Sequence, residues 1–370
     1  MTLSERLKHA RRKAGITLRE IEERTGIGQS SLSEYEAGKR APRLAQLQSL
    51  AEVYRRSISF FLAEGEPAPE VVLWRKRPDD AVAADIEAKF LRLCEQYHNL
   101  EVWCIERRPC ELPVASGNAA DFNYREAEKL AYEVRAKLKL GDRPGQSLLP
   151  VLEEVCGVKV FHKRFEQTGF AACTVHSTFG AAILLNMGHV RWRRNFDLAH
   201  ELFHLLTWSV FRTADKGDGV LESAQEEKLA NCFASNLLMP ADVTRLAVNE
   251  VMKDDKIGFD DLFKIAREFD VSGEALLWRL HFLCRNREDD SQTRSDIDRF
   301  AEFVRASEER EKDDPPERPA RYDALAIKAF RTGQLSQGRF AEYMGISRRE
   351  ATTFAGQEAP TDEEVAIPSA

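Results

Sequence analysis

The stretch FDLAHELFHLL, residues 196–206, decides how the larger part of this chain folds. Its apolar residues recur at helical spacing, which predicts a helix over about residues 196–208. His200 and His204 lie one turn apart on that helix, so their imidazoles can share one zinc ion. Glu201 lies beside them, where a carboxylate can serve as general base. The pattern H-E-x-x-H in this context predicts a catalytic metal site.

A catalytic zinc needs a third protein ligand and an open position for water. Glu227 is the candidate, because it precedes by one turn the apolar stripe of the helical stretch EEKLANCFASNLLMP. A carboxylate that continues a buried stripe costs desolvation energy unless a cation accompanies it. Glu226 and Glu222 remain alternatives at this point.

HELFH followed by EKLANCFASNLLMP resembles the ImmA/IrrE family of metallopeptidases, over roughly residues 70–280. The resemblance implies a gluzincin-like zinc endopeptidase in which the Zn2+ ligands are His200, His204 and Glu227. Glu201 is then the general base.

Two positions depart from the sequences of that family. Asp197 stands where a threonine is common, and Phe203 stands where a glycine is common. We expect Phe203 to pack in the core. For Asp197 the favoured role is a helix N-cap, and the alternative is a carboxylate that orients an imidazole.

Residues 17–36, TLREIEERTGIGQSSLSEYE, fit a helix-turn-helix. Thr17 is the expected N-cap of the first helix, and Gly26 supplies the left-handed conformation that the turn needs. The second helix is expected to begin near Gln29. The predicted DNA contacts are Gln29, Ser30, Ser33 and Glu34 on that helix, with Lys39 and Arg40 on the backbone.

This segment resembles the XRE family of phage repressor and Cro-like proteins, notably in LSEYEAGKRAP. The resemblance implies a five-helix lambda-repressor-like domain that binds a double-stranded DNA operator, with a possible homodimer. Leu18 departs from the polar glutamine that the family usually has at this position. Residues 1–62 carry twelve Lys and Arg against seven Asp and Glu, whereas the whole chain has a net charge of -7. Only the first part of the chain is therefore expected to meet a polyanion.

Composition limits the class of protein. With 370 residues, 43% hydrophobic and 31% charged, the chain suits two or three globular domains. No apolar run is long enough for a signal peptide or a membrane span, so we expect a cytoplasmic protein with no membrane partner. Seven scattered cysteines without a C-x-x-C pair favour reduced thiols over a disulfide scaffold.

We expect an α+β, predominantly helical protein. Helices are predicted over about 84–100, 124–139 and 147–156, and strands over 157–163, 170–176 and 181–186. The predicted divisions are a helix-turn-helix domain (1–64), a linker (65–80), a metallopeptidase domain (81–284), a charged linker (285–320), a C-terminal helical hairpin (321–356) and a disordered tail (357–370).

The C-terminal segment allows two interpretations. LSQGRFAEYMGISRREA echoes the helix-turn-helix sequence, but the acidic stretch before it favours a hairpin that packs on the peptidase or on a partner. We expect the end of the charged linker, residues 313–319, to be mobile.

The predicted function is a DNA-binding transcriptional regulator with zinc-dependent endopeptidase activity. Its substrate would be a repressor or antitoxin-like protein, in a stress, prophage or mobile-element response. The alternative is a repressor whose metallopeptidase fold is a non-cleaving sensor or partner-binding domain.

Overall fold

The computed structural model describes residues 1–54, 56, 58–62, 71–108, 111–165, 170–212, 224–253, 256–283, 298–300, 302–303 and 313–356. Over these residues the protein is predominantly helical with one small sheet, which confirms the α+β expectation. None of the described helices combines the length and the apolar character that a membrane span requires.

The N-terminal unit is built from short helices around its own core. They are α1 (Leu3–Lys13), α2 (Leu18–Thr25), α3 (Gln29–Glu36), α4 (Leu44–Val53) and α5 (Ile58–Leu62). Thr17 caps α2 through a reciprocal capping box with Glu20. Gly26 ends α2 with φ +71°, where a side chain would be strained. Ile21 and Leu32 then face each other in the core.

The larger unit surrounds a four-stranded sheet. Its helices are α6 (Asp80–Trp103), α7 (Tyr124–Lys137), α8 (Pro144–Pro150), α9 (Arg191–Leu206), α10 (Trp208–Phe211), α11 (Ala224–Leu238), α12 (Ala241–Val251), α13 (Phe259–Phe269) and α14 (Gly273–Leu283). Its strands are β1 (Leu73–Trp74), β2 (Lys159–Lys163), β3 (Ala172–His176) and β4 (Gly180–Asn186). The order across the sheet is β1-β3-β4-β2, and only β2 and β4 are parallel.

The two faces of the sheet belong to different cores, because successive side chains of a strand point to opposite sides. Ile183 of β4 joins the core that contains α7, α9 and α11. Leu184, the next residue, joins the core that contains α6 and the C-terminal helices. The sheet therefore lies between two helical layers, and α9 is held against one of its faces.

Three helices, not two, make up the C-terminal segment. They are α15 (Ala320–Arg331), α16 (Gln337–Met344) and α17 (Arg348–Gly356). Buried residues of this segment, Tyr322 and Phe340 among them, share a core with α6. Glu101 of α6 is buried and forms ion pairs with Lys159 of β2 at 3.0 Å and with Arg321 of α15 at 2.7 Å. The segment thus packs on the larger unit, as the hairpin prediction proposed, but with one more helix.

Two predicted linkers contain ordered structure. Residues 65–80 were expected to be a linker, yet β1 lies there and Leu73 pairs with Cys173 of β3. Residues 313–319, expected to be mobile, are anchored: Asp313 accepts two hydrogen bonds from Arg194, and Glu317 accepts one from the backbone N–H of His162 at 2.9 Å. The sequence could not indicate these partners because they lie more than a hundred residues away. The predicted tail, 357–370, lies outside the described residues.

Two predicted helices have slightly different ends in the structure. The helix predicted over 196–208 begins earlier, at Arg191, and ends at Leu206. Asp197 is therefore in the helix interior, and the favoured N-cap role was wrong because Val190 is the N-cap residue. The helix predicted over 147–156 begins at Pro144, and its second half is a wider turn of π-helix, Val151–Val155.

Candidate metal centre and DNA-binding surface

The metal centre is assembled from two neighbouring helices, α9 and α11. His200 and His204 lie one turn apart on the buried side of α9, and Glu227 lies in the first turn of α11. The Nε2 atoms of the two histidines are 3.3 Å apart. Glu227 Oε2 is 3.3 Å from His200 Nε2, and Glu227 Oε1 is 3.4 Å from His204 Nε2.

These spacings fit a small tetrahedral metal ion. Bonds of about 2.0–2.1 Å from zinc to nitrogen and oxygen place tetrahedral ligand atoms about 3.3–3.4 Å apart. His200, His204 and Glu227 form a cluster of donor atoms that could hold a metal ion, all within 4.8 Å of one another. The histidine side chains are fully buried, whereas that of Glu227 retains 26% exposure.

The other nitrogen of each histidine has a fixed acceptor. His200 donates from Nδ1 to Asn231 Oδ1 at 3.0 Å, and His204 donates from Nδ1 to Glu226 Oε1 at 3.0 Å. Such bonds set the tautomer, because a proton on Nδ1 leaves the Nε2 lone pair available for a metal. Burial also lowers the pKa of His200 to about 4, which keeps its ring neutral. Both histidines are thus prepared as ligands.

Each acceptor is held in turn by an arginine. Arg212 donates two hydrogen bonds of 3.0 Å to Glu226, and these, with His204, keep the pKa of this carboxyl below its usual range despite burial. Arg75, which follows β1, reaches Asn231 at 3.4 Å and also forms an ion pair with Asp197. Glu226, an alternative third ligand in the sequence, is thus a partner of His204. Glu222, the other alternative, lies outside the described residues.

Asp197 contacts the centre indirectly, through Arg75. Its carboxylate accepts a hydrogen bond of 2.8 Å from His189 Nδ1 and pairs with Arg75, and these contacts outweigh burial and lower its pKa. Because Arg75 also contacts Asn231, the carboxylate acts on His200 through two intermediates. The alternative interpretation of Asp197, an orienting carboxylate, agrees with this arrangement, although the contact with the imidazole is indirect.

Glu201 is completely buried beside the metal ligands. Among the described residues no nitrogen or oxygen donor reaches either oxygen of its carboxylate. Burial raises its pKa to about 7, and interactions with the neighbouring His204 ring and with the Cys173 thiol of β3 act in the opposite direction. A carboxyl group with a pKa near neutrality can both take up and release a proton.

Phe203 has no exposed surface and packs in an aromatic cluster. Its ring centroid is 5.8 Å from that of Phe122 and 5.6 Å from that of Phe233. The cluster fixes the rotation of α9 and so the direction of its histidines. The expectation that this residue packs in the core agrees with the structure.

The predicted DNA face lies on the outside of the N-terminal unit. Gln29, Ser30, Ser33, Glu34, Lys39 and Arg40 are all exposed. Arg11 of α1 binds Glu36 through two hydrogen bonds of 2.6 and 2.9 Å, which fixes the end of α3. Leu18, where a polar residue is usual, is half-buried against the core. The surface of α3 is therefore available and rigidly placed.

Comparison with known families identifies both units. Residues 7–61 match the family model described as helix-turn-helix, and residues 153–281 match the one described as IrrE N-terminal-like domain. The chain joins a helix-turn-helix domain to an IrrE N-terminal-like domain. This confirms both resemblances that the sequence motifs indicated.

A curated relative supports the first of these domains. The HTH-type transcriptional regulator ImmR of Bacillus subtilis (strain 168) is 41% identical over 66 residues. The match covers 18% of this chain and 52% of that regulator, so it spans about half of the relative's length. The name of this relative, an HTH-type regulator, agrees with the helix-turn-helix match of residues 7–61.

Sequence reasoning missed the partners of the ligands. Asn231 follows Glu227 by one helical turn on α11, a signal that was available in EEKLANCF. Arg75 and Arg212 gave no comparable signal, because their contacts with Asn231 and Glu226 depend on the tertiary fold.

Proposed function

We propose that this protein is a DNA-binding regulator whose IrrE N-terminal-like domain is a zinc-dependent endopeptidase. The substrate would be a repressor or antitoxin-like protein, cleaved in a stress, prophage or mobile-element response. The observation that carries the proposal is the convergence of His200, His204 and Glu227. Their donor atoms lie as far apart as the ligand atoms of a tetrahedral zinc ion, and buried Glu201 lies next to them.

A bound zinc ion would polarise the peptide carbonyl and acidify a water molecule. His200, His204 and Glu227 would hold that ion, and Asn231 and Glu226 would keep the two imidazoles in orientation.

Glu201 would act as the proton carrier in peptide cleavage. In its ionised form it takes a proton from the attacking water, and in its protonated form it donates that proton to the leaving amine. Burial raises the pKa of Glu201, which favours proton uptake by this carboxylate from the attacking water. Among the described residues, no N–H or O–H group donates a hydrogen bond to this carboxylate.

The helix-turn-helix domain would place the chain at an operator in double-stranded DNA. Gln29, Ser30, Ser33 and Glu34 would face the base edges, and Lys39 and Arg40 would contact phosphates. Two copies of the chain on a two-fold operator would double these contacts, so a homodimer is part of the proposal. The proposed domain limits are residues 1–64 and 81–284, with β1 contributed from the segment between them.

Labelling of newly formed protein N-termini in cells tests the enzyme directly. The native chain and Glu201→Gln are compared in otherwise identical cells, and zinc content is measured for both purified proteins. We expect Glu201→Gln to retain zinc and to lose every cleavage product that the native chain generates, because only the proton carrier is removed.

The alternative function predicts another result. If the domain is a non-cleaving sensor, native and Glu201→Gln cells yield the same N-termini, while removal of the metal alters DNA binding. That outcome would overturn the endopeptidase proposal.

A further inference from the structure

Helices α16 and α17 repeat the backbone pattern of α2 and α3. Both first helices are eight residues long, and each follows a hydroxyl N-cap, Thr17 for α2 and Ser336 for α16. Both end in a left-handed glycine, Gly26 with φ +71° and Gly345 with φ +64°. In both, the next helix begins three residues after that glycine. The whole unit lies beyond residues 7–61 and 153–281, which the family models match.

The buried positions also correspond. Phe340 of α16 stands at the place of Ile21 of α2, and both side chains are fully buried. Ala351 of α17 stands at the place of Leu32 of α3, and it too is buried. The shared pattern is therefore that of a helix-turn-helix, in which these two positions join the paired helices.

Helix α6 packs against the inner side of the C-terminal unit. Tyr322 of α15 donates to Gln96 of α6 at 3.1 Å, and the rings of Trp103 and Tyr343 lie 6.0 Å apart. Arg92 of α6 also forms an ion pair with Glu342 of α16. These contacts cover the inner side of the unit and fix its orientation on the larger domain.

The outer side of α17 is polar and carries positive charge. The positions that correspond to Gln29, Ser30, Ser33 and Glu34 of α3 are Arg348, Arg349, Thr352 and Thr353, all of them exposed. Arg331 and Arg339 are exposed on the neighbouring helices. The face of α17 thus has two arginines where that of α3 has a glutamine and a serine. Arginines contact phosphates and guanine edges, and hydroxyl groups contact either phosphates or bases.

We propose that α16 and α17 form a second helix-turn-helix that binds double-stranded DNA through the exposed face of α17. Arg348 and Arg349 make the main contacts, and Thr352 and Thr353 lie along the groove. One DNA-binding unit then precedes the proposed peptidase domain in the sequence, and the other follows it.

Binding of a fluorescent mixed-sequence duplex to the full-length chain, followed by anisotropy over a range of salt concentrations, tests this. The variants are Arg348→Ala/Arg349→Ala and, as a control of equal charge change, Lys129→Ala/Lys137→Ala on α7. Each is measured in the native background and with Lys39→Ala/Arg40→Ala in the N-terminal domain. Thr353→Glu is a further variant, at an exposed residue whose side chain makes no hydrogen bond among the described residues, and it adds a negative charge to the same face. A change in tryptophan fluorescence relative to the native chain, to which Trp103 contributes together with the four other tryptophans, would reveal a loss of packing of the C-terminal unit.

We expect Arg348→Ala/Arg349→Ala to lower the slope of log affinity against log salt by about two and to weaken binding about 10-fold at low salt, in both backgrounds. Thr353→Glu weakens binding in the same direction, and the α7 control leaves the slope unchanged. The proposal is overturned if the arginine variant and Thr353→Glu bind DNA as the α7 control does. It is also overturned if the arginine-dependent part of binding is equally strong for single-stranded RNA, because a duplex groove is then not what α17 recognises.

Discussion

Helices α9 and α3 carry the two proposed functional sites of this chain in opposite ways. The functional side chains of α9 point inward, and His200, Glu201 and His204 are all buried. Those of α3 point outward, and Gln29 and Ser33 are exposed. A buried polar group must be paired or held near neutrality, so changes around α9 affect neighbouring groups as well. Changes on the exposed face of α3 act mainly on what binds there, because the side-chain hydrogen bond of this face, between Gln29 and Glu22, lies at the surface.

The largest expected effect comes from a metal ligand of the inward-facing site. In Glu227→Gln an amide replaces the carboxylate whose oxygens lie 3.3 and 3.4 Å from the two histidines. We expect zinc affinity to fall by more than about 100-fold, since the loss of a ligand's partner alone costs 10–100-fold. Competition with a chromophoric chelator measures it, and Glu250→Gln on the exposed side of α12 is the control. Equal affinities would remove Glu227 from the ligand set.

A smaller effect is expected at Asn231, which is hydrogen-bonded to the proposed metal ligand His200. Asn231→Ala removes the acceptor for His200 Nδ1, and the contact that Arg75 makes there is lost with it. Zinc affinity should fall by about 10–100-fold while the three ligands remain. The same competition assay applies, with Asn236→Ala on the same helix as control. If both variants bind zinc equally well, the orientation of His200 does not depend on Asn231.

The same contrast explains what the sequence could predict. Residues that make contact within one or two helical turns have a characteristic spacing in the sequence. The His200–His204 pair and the capped turn at Gly26 could therefore be predicted. Glu227 could be predicted as a ligand because it continues an apolar stripe. Its distance from the histidines could not be predicted from the sequence. β1 pairs only Leu73 and Trp74 with β3, too few residues for an alternating pattern.

The contact between buried His162 and residues 313–319 should make the free energy of unfolding depend on pH. His162 of β2 is buried and bonded to Pro316 O at 3.0 Å, and burial lowers its pKa to about 4 from 6.5. Between these two pH values the unfolded chain takes up a proton that the folded chain refuses. The free energy of unfolding should therefore fall as the pH drops from 6.5 to 4, by up to about 3 kcal/mol for this group.

His162→Gln should remove that part of the pH dependence and leave the rest. Urea unfolding followed by tryptophan fluorescence measures it, because residues 1–62 contain no tryptophan and the signal reports on the larger unit. Parallel loss of stability in the native chain and the variant over this pH range would show that His162 is not the group responsible.

The smallest effect is expected on the outward-facing helix, where recognition is separable from folding. Gln29→Ala removes one side chain that can read a base edge, so discrimination at a single base pair should weaken by about 1–3 kcal/mol. Because Gln29 is exposed and its side chain makes only a surface hydrogen bond, to Glu22, the melting temperature should change little. Sequencing of protein-bound DNA from a randomised pool measures this preference, and Lys39→Ala is the informative control, since loss of a phosphate contact weakens all sequences alike. If Gln29→Ala also weakened all sequences alike, α3 would hold the DNA backbone and base recognition would lie elsewhere in the chain.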